Sequence, residues 1–211
     1  MTPFSLKDKN SDTELQFNLP SSWQEITLGQ MIDWENESAT GPISFCKQLE
    51  ILTGIDEDTW VNCSILSLDK MLLPHLEWMK KPVNELSFAG VPDHVVIDGE
   101  TIPVPKNIEL KSFGQYITFK MKMEEAIKKN DKGDFERIDI NFIPLAIAIY
   151  LYPEHTFDDI KAAAFAIKVR ELPFIQANTL STFFFQKFLN LENETVSSYT
   201  MSRTTNSYVR G

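Results

Sequence analysis

The sequence predicts a mainly α, α+β fold: two helical subdomains sharing a core, a small β-hairpin region between them and an extended C-terminal arm. Three observations carry this expectation. Apolar residues recur at helical spacing between capping and stop signals over most of residues 27–80 and 112–191. The stretch 82–107 breaks that texture with four prolines, two glycines and a run of β-branched residues. With 211 residues, 43% of them apolar, the chain is long enough to bury a sizeable core without disulfide or metal staples. The expected organisation is 1–82, 83–110, 111–192 and an arm over 193–211.

Taken in order, the first dozen residues read as a loose polar terminus. Leu15, Phe17 and Leu19 alternate with polar neighbours before Pro20, as in a short edge strand. Thr27 and Gln30 have the spacing of a capping box, so a helix starts at Thr27. Gly41 and Pro42 open a second helix with Ile43, Phe45, Cys46, Leu49 and Leu52 on one face, and Gly54 stops it. Asp56 to Cys63 is a short helix with acids in its first turn, where the helix dipole favours them. A further helix is expected over Ser67–Lys80. The Asp98-Gly99 pair, flanked by Val95, Val96, Ile97 and Ile102, is a type I′ hairpin signal, and Pro103 confines its strand to an edge.

The second helical block opens with Ser112 and Gln115, again at capping-box spacing. Thr27-Leu-Gly-Gln-Met-Ile32 and Ser112-Phe-Gly-Gln-Tyr-Ile117 match at cap, glycine, glutamine and isoleucine, a hint of duplication. Lys128–Asp134 reads as a charged turn. Phe142–Leu151 is apolar on nearly all sides, as in a helix surrounded by others. Thr156 is expected to cap an Ala-rich helix whose core stripe is Ile160, Ala163, Ala164 and Ile167. The last helix runs from about Ile175 to Leu191. The core is expected to hold Trp23, Met31, Phe45, Leu49, Leu72, Leu76, Phe119, Leu145, Ile149, Ile167, Phe184 and Phe188.

Thirty acids against twenty bases give a net charge of -10, which repels phosphate backbones. Eight acids but one base, Lys47, fall between Glu25 and Asp58. The acids Asp33, Glu35 and Glu37 are therefore candidates for a face that docks a basic partner. Lys111, Phe113, Tyr116, Phe119, Lys120, Lys122, Lys128 and Lys129 interleave bases with aromatics, but Phe113, Tyr116, Ile117 and Lys120 share one helical face and read as a core stripe bordered by lysines. Cys46 and Cys63 sit in apolar patterns with no secretory leader before them, so reduced thiols are expected. The longest apolar run is about half of a bilayer span.

Histidines 75, 94 and 155 lie far apart at no ligand spacing, no glycine-rich phosphate loop occurs, and no Ser/His or Cys/His set suggests a nucleophile. No catalytic residue, metal or cofactor is assigned. The Ser/Thr-rich stretch Thr195–Gly211 has too few apolar residues to fold alone, and its candidate anchors on a partner are Tyr199, Met201, Arg203, Tyr208 and Arg210.

Several fragments resemble a known group when taken together: Leu19-Pro20-Ser-Ser-Trp23-Gln-Glu-Ile26-Thr27, Leu52-Thr53-Gly54-Ile55-Asp56, Phe113-Gly114-Gln115-Tyr116-Ile117, Tyr150-Leu-Tyr-Pro153 and Phe183-Phe184-Phe185. Their order is similar to that in small structural or assembly proteins from the morphogenesis region of tailed bacteriophages, particularly crAss-like phages of Bacteroides. The resemblance implies a non-enzymatic virion protein, assembled in the host bacterial cytoplasm, in a homo-oligomeric ring or collar against the portal and neighbouring ring or tail proteins. Its acids would then line a passive DNA channel without reading sequence. The same Leu-Pro-x-x-Trp and Leu-Thr-Gly combination also resembles tail-assembly chaperones, which implies a protein absent from the mature particle.

Deleting residues 195–211 is expected to leave the thermal midpoint of the dilute subunit nearly unchanged, as followed by circular dichroism, while weakening assembly. A large loss of midpoint in the monomer would contradict this.

Overall fold

Phe4 and Leu6 alternate with polar residues just as Leu15, Phe17 and Leu19 do, and this period of two lets the N-terminus pair with itself. In the computed structural model, strands β1 (Thr2–Lys7) and β2 (Glu14–Leu19) form an antiparallel ribbon in which Phe4 faces Phe17. The loose terminus expected here is thus corrected: Thr2–Lys7 is a strand. The structure describes residues 1–7, 14–63, 72–80, 90–106, 113–129, 135–152 and 156–207. Of 7, 80, 113, 128–129, 135–137 and 191–207 it describes the backbone alone.

Thr27 opens α1 (Leu28–Ser38) with the expected capping box. Its hydroxyl accepts from the Gln30 amide at 3.1 Å, and Gln30 Oε1 accepts from the Thr27 amide at 2.9 Å. Helix α2 (Phe45–Thr53) begins later than Gly41-Pro42 suggests, because Ser44 Oγ takes the Lys47 amide. Its end is as expected: Gly54 sits at φ +74°, a left-handed conformation that a Cβ would strain. Asp56 caps the short α3 (Glu57–Val61). The helix expected over Ser67–Lys80 is described only from Leu72, and there Leu73–Lys80 is a 3-10 helix. Pro74, which has no amide proton, sits in the first turn of this helix, where proline is tolerated, and would interrupt an α-helix running through from Ser67.

The Asp-Gly hairpin forms as its chemistry dictates. Strands β3 (His94–Ile97) and β4 (Glu100–Pro103) flank Asp98 and Gly99 at φ +53° and +75°, the two positive angles of a type I′ turn. Helix α4 (Phe113–Ala126) buries Gln115, Phe119, Met123 and Ala126, one face displaced from the expected one; Tyr116, Ile117 and Lys120 are only half-buried. Residues 128–129 of the expected charged turn instead lie in a third ribbon, β5 (Ile127–Lys129) with β6 (Phe135–Ile138). The rest of that turn, the Ser112 cap and the boundaries at 82/83 and 110/111 lie outside the described residues.

Helix α5 (Ile143–Tyr150) is the centre of the core. It contacts α4, α6 (Asp159–Val169) and α7 (Phe174–Ser207), and Ala146–Tyr150 are all buried. Phe119 stands edge-on to both Phe184 and Phe188 beside it, 4.5 Å between centroids in each pair, and Tyr150 lies 4.8 Å from Phe184. The buried apolar set is continuous from Leu6 to Phe188, so residues from both helical blocks share it. Trp60, packed edge-on against Phe17, is its largest fully buried side chain and was not among the expected ones. Leu49, Leu72, Leu76, Phe119, Ile149, Phe184 and Phe188 are buried as expected; Trp23, Met31, Phe45 and Leu145 are half-buried. Truncating one of the buried phenylalanines to Ala costs about 3–5 kcal/mol in such a setting.

Two corrections concern the C-terminal half. Asp158, not Thr156, caps α6, accepting from the Ile160 and Lys161 amides. Helix α7 continues to Ser207 instead of ending near Leu191, since no glycine or proline interrupts the chain after Pro173 until Gly211. The arm expected over 193–211 is therefore helical in backbone as far as Ser207.

Tyr150 supplies a pH test. Its hydroxyl donates to the Pro105 carbonyl beyond β4, and burial pushes its phenol up to about 12. The unfolded chain releases this proton near pH 10, so the folded state binds more protons between about 10 and 12 and stability must fall as pH rises through that window. Urea melts across this range should show that fall in the native sequence and a shallower one in Tyr150→Phe.

Candidate functional site

The Ala-rich helix α6 carries two apolar stripes at identical offsets. Ala162, Phe165, Ala166 and Val169 form one; Ile160, Ala163, Ala164 and Ile167 form the other. Helix α5 can cover only one of them. The structure turns the first inward, burying Ala162 and Val169 completely and Phe165 and Ala166 in part. The second faces outward, with Ile160 78% and Ile167 70% exposed and both alanines between them exposed. The core stripe expected at Ile160, Ala163, Ala164 and Ile167 is thus corrected: it is an exposed apolar helix face. A sign of this was legible, because a helix apolar on both sides needs cover on both sides.

The surroundings extend the patch. Between α4 and the start of α6, a cleft of about 370 Å³ is lined by Thr118, Lys122, Leu145, Phe157, Ile160 and Ala163. Met121, on α4, is also exposed. At the other end Lys168 Nζ lies 2.5 Å from Asp98 Oδ2, tying the β3–β4 turn to the last turn of α6. That pairing raises the Lys168 ammonium above its ordinary pKa, the hydrogen bond to Asp98 being the main cause. The stripe therefore sits on a helix held at both ends, by its Asp158 cap and by this ion pair.

The sequence-predicted acids on α1 do not gather at one place. Asp33 Oδ1 accepts from Arg170 Nη2 at 2.7 Å, linking α1 to the turn between α6 and α7. Glu37 shares Lys47 with Glu50, at 3.8 Å and 2.9 Å respectively. Glu35 instead lines a cleft of about 430 Å³ with Asn36, Asp139, Asn141, Phe174 and Asn178. Helix geometry separates Glu35 from the other two, since residues two apart diverge by about 200°; Asp33 and Glu37, four apart, share a face and are drawn to different cations, Arg170 and Lys47. Tyr199, Met201 and Arg203 fall on the C-terminal part of α7, described in backbone only; Tyr208 and Arg210 lie outside the described residues.

A third concavity, of about 400 Å³, is lined mainly by apolar and aromatic groups including Trp23, Trp34, Phe45, Leu76 and Met79. Trp78 beside it is anchored by its indole, which donates to the Pro20 carbonyl at 3.1 Å, and stands edge-on to Trp23. Cys46 and Cys63 are free thiols, and burial, followed by the Glu57 carboxylate, pushes the Cys46 thiol up, away from the reactive thiolate. Among the described residues no three His, Cys, Asp or Glu side chains are placed to hold a metal ion. His75 packs edge-on against Phe4, while His155 lies outside the described residues. No helix of the described residues is long and apolar enough to cross a membrane.

No protein-family model, curated protein or solved structure matches the chain.

The two stripes of α6 predict opposite responses to substitution. Ile167→Ser should leave the unfolding free energy of dilute protein within about 0.5 kcal/mol, as for an ordinary surface position. Ala162→Leu should cost about 1–3 kcal/mol by overpacking against α5. Chemical denaturation of both variants checks the pair, and a large loss in Ile167→Ser would mean that the outward stripe is covered.

Proposed function

We propose that the chain is a non-enzymatic structural subunit of a tailed-phage virion, part of a ring or collar in the head-to-tail connector near the portal. The observation that carries this reading is the exposed Ile160/Ala163/Ala164/Ile167 face, an apolar surface suited to contact with another protein. The resemblance of the Leu-Pro-x-x-Trp, Leu-Thr-Gly and Phe-Gly-Gln-Tyr-Ile fragments to phage morphogenesis proteins supplies the setting. The charge of -10 fits it, because a ring multiplies the charge of each subunit and an electronegative lumen lets DNA pass without adhering. Partners are then the portal, neighbouring ring or tail proteins and further copies of the chain, with no sequence-specific contact to nucleic acid.

Quantitative mass spectrometry of purified particles tests this. A fixed stoichiometry relative to the portal, in the range of a closed ring, is the expected result. Absence from particles, or trace amounts, would overturn it. Co-purification with unassembled tail subunits from infected cells, combined with that absence, would move the reading to a tail-assembly chaperone.

A further inference from the structure

We propose that the cleft between the end of α1 and the start of α7 receives an arginine side chain presented by a basic segment of a partner protein. This names the partner chemistry for the structural-subunit reading and rests on it for its biological setting. The cleft holds about 430 Å³ and draws its polar lining from three segments distant in sequence: Glu35 and Asn36 on α1, Asp139 and Asn141 ahead of α5, and Asn178 on α7. Its frame is already built. Asn36 and Asn141, 105 residues apart, exchange side-chain hydrogen bonds from Nδ2 to Oδ1 at 3.1 and 3.0 Å. Asn141 also donates from its backbone amide and from Nδ2 to Asp139 Oδ1, at 3.0 and 2.9 Å. These bonds set α1 against the turn ahead of α5 and hold Glu35 and Asp139 on one cleft.

The lining is rich in acceptors. Its described residues include two carboxylates, which only accept, and no lysine, arginine or histidine. Glu35 and Asn178 are half-buried, yet among the described residues neither the Glu35 carboxylate nor the Asn178 carboxamide has a hydrogen-bond or ion-pair partner. Asn178 accepts from Ser181 Oγ through its backbone carbonyl alone. The other two acids of α1 are committed, Asp33 to Arg170 and Glu37 to Lys47. Glu35 is thus the carboxylate of that helix left for an outside cation.

Arginine fits this lining better than other cations do. Its guanidinium carries only donors, in a planar fork that can face a carboxylate and a carboxamide oxygen together. Its methylene stem is apolar and suits the rest of the wall, which Ile138, Ile140, Ile143 and Phe174 provide. An ammonium is a more strongly hydrated point charge and loses more on leaving water. Arg170, the one arginine whose side chain is described, is held by Asp33 and the Gly29 carbonyl and is not the donor. A second copy is disfavoured by the charge of -10, whereas a basic segment is drawn to the same field.

The test is an NMR titration of the full ¹⁵N-labelled chain with N-acetylarginine methylamide at constant ionic strength. The expected result is a saturable shift of the Asn178 side-chain amide and of the Glu35 and Asp139 backbone amides, with a dissociation constant in the millimolar range open to so small a ligand. The citrulline analogue, similar in shape but uncharged, should bind at least about tenfold more weakly, and the lysine analogue should also bind more weakly. Glu35→Gln should weaken the arginine compound by about tenfold as well, while Glu124→Gln, at an exposed position of α4, should leave its affinity unchanged. Circular dichroism melts check that each variant folds. Shifts spread over the whole acidic surface, equal affinity for the lysine or citrulline compound, or no effect of Glu35→Gln would overturn the proposal. Sedimentation of the chain alone supplies a further arm: self-association abolished by Glu35→Gln would assign the arginine to a second copy and overturn the partner assignment. The titration needs no particles, so its failure removes only this inference. Absence of the protein from particles would instead remove the connector reading and leave the specificity of the cleft standing.

Discussion

The architecture depends on the splice between the start of α1 and the turn joining α6 to α7. The first amides of a helix have no partner within it and must find one elsewhere. Here the Leu28 amide donates to Leu172 O and the Gly29 amide to Arg170 O, both at 2.8 Å, while the Gln30 amide goes to the Thr27 hydroxyl. In return the Phe174 amide, at the start of α7, donates to Ile26 O at 2.7 Å. The approach at Gly29 is close: a Cβ there would stand 3.2 Å from Arg170 O, so a side chain would press on the splice. Arg170 reaches back to Asp33 across the same seam. Two segments about 140 residues apart are thereby held in one register, and the directions of α6 and α7 follow from it.

From that register the core fills around α5. A short helix of Ile, Leu, Ala and Tyr with an apolar surface all round can exist in water only when enclosed, and α4, α6 and α7 enclose it. The matched glutamines of the two Gly-Gln turns add parallel ties: Gln30 Nε2 donates to Leu52 O at 3.0 Å and Gln115 Nε2 to Ile149 O at 2.6 Å, each near the end of a neighbouring helix. Enclosing α5 uses one stripe of α6 and leaves the other in water. Covering an isoleucine side chain is worth about 1.5–3 kcal/mol, so the outward stripe holds free energy available to association.

The charged residues follow a different logic. Asp33, Glu37 and Glu50 pair within the chain, Asp56 and Asp158 cap helices, and Asp98 both turns a hairpin and pairs with Lys168. Acids used in these ways set local geometry and solubility while their sum gives the molecule a negative field. That field acts at a distance on whatever approaches, in contrast to the short-range apolar contact offered by α6.

Local chemistry was legible in the sequence wherever a residue acts on its own backbone. Thr27 and Gln30 marked a helix start, Gly54 a stop, Asp98-Gly99 a hairpin, and Phe142–Leu151 the enclosed helix, because caps, positive φ angles and all-round apolarity carry their consequences within a few residues. Other features required the assembled fold. Periodicity showed that Ile160, Ala163, Ala164 and Ile167 share a face, but the adjoining Ala162/Phe165/Ala166/Val169 face has the same period, and only the position of α5 decided which of them met the core. The pairing of Thr2–Lys7 with Glu14–Leu19, the burial of Trp60 and the separate fates of Asp33, Glu35 and Glu37 likewise rest on contacts between distant segments. A linear pattern states which residues can act together; which of them are left to face outward is settled by the surfaces the rest of the chain has already covered.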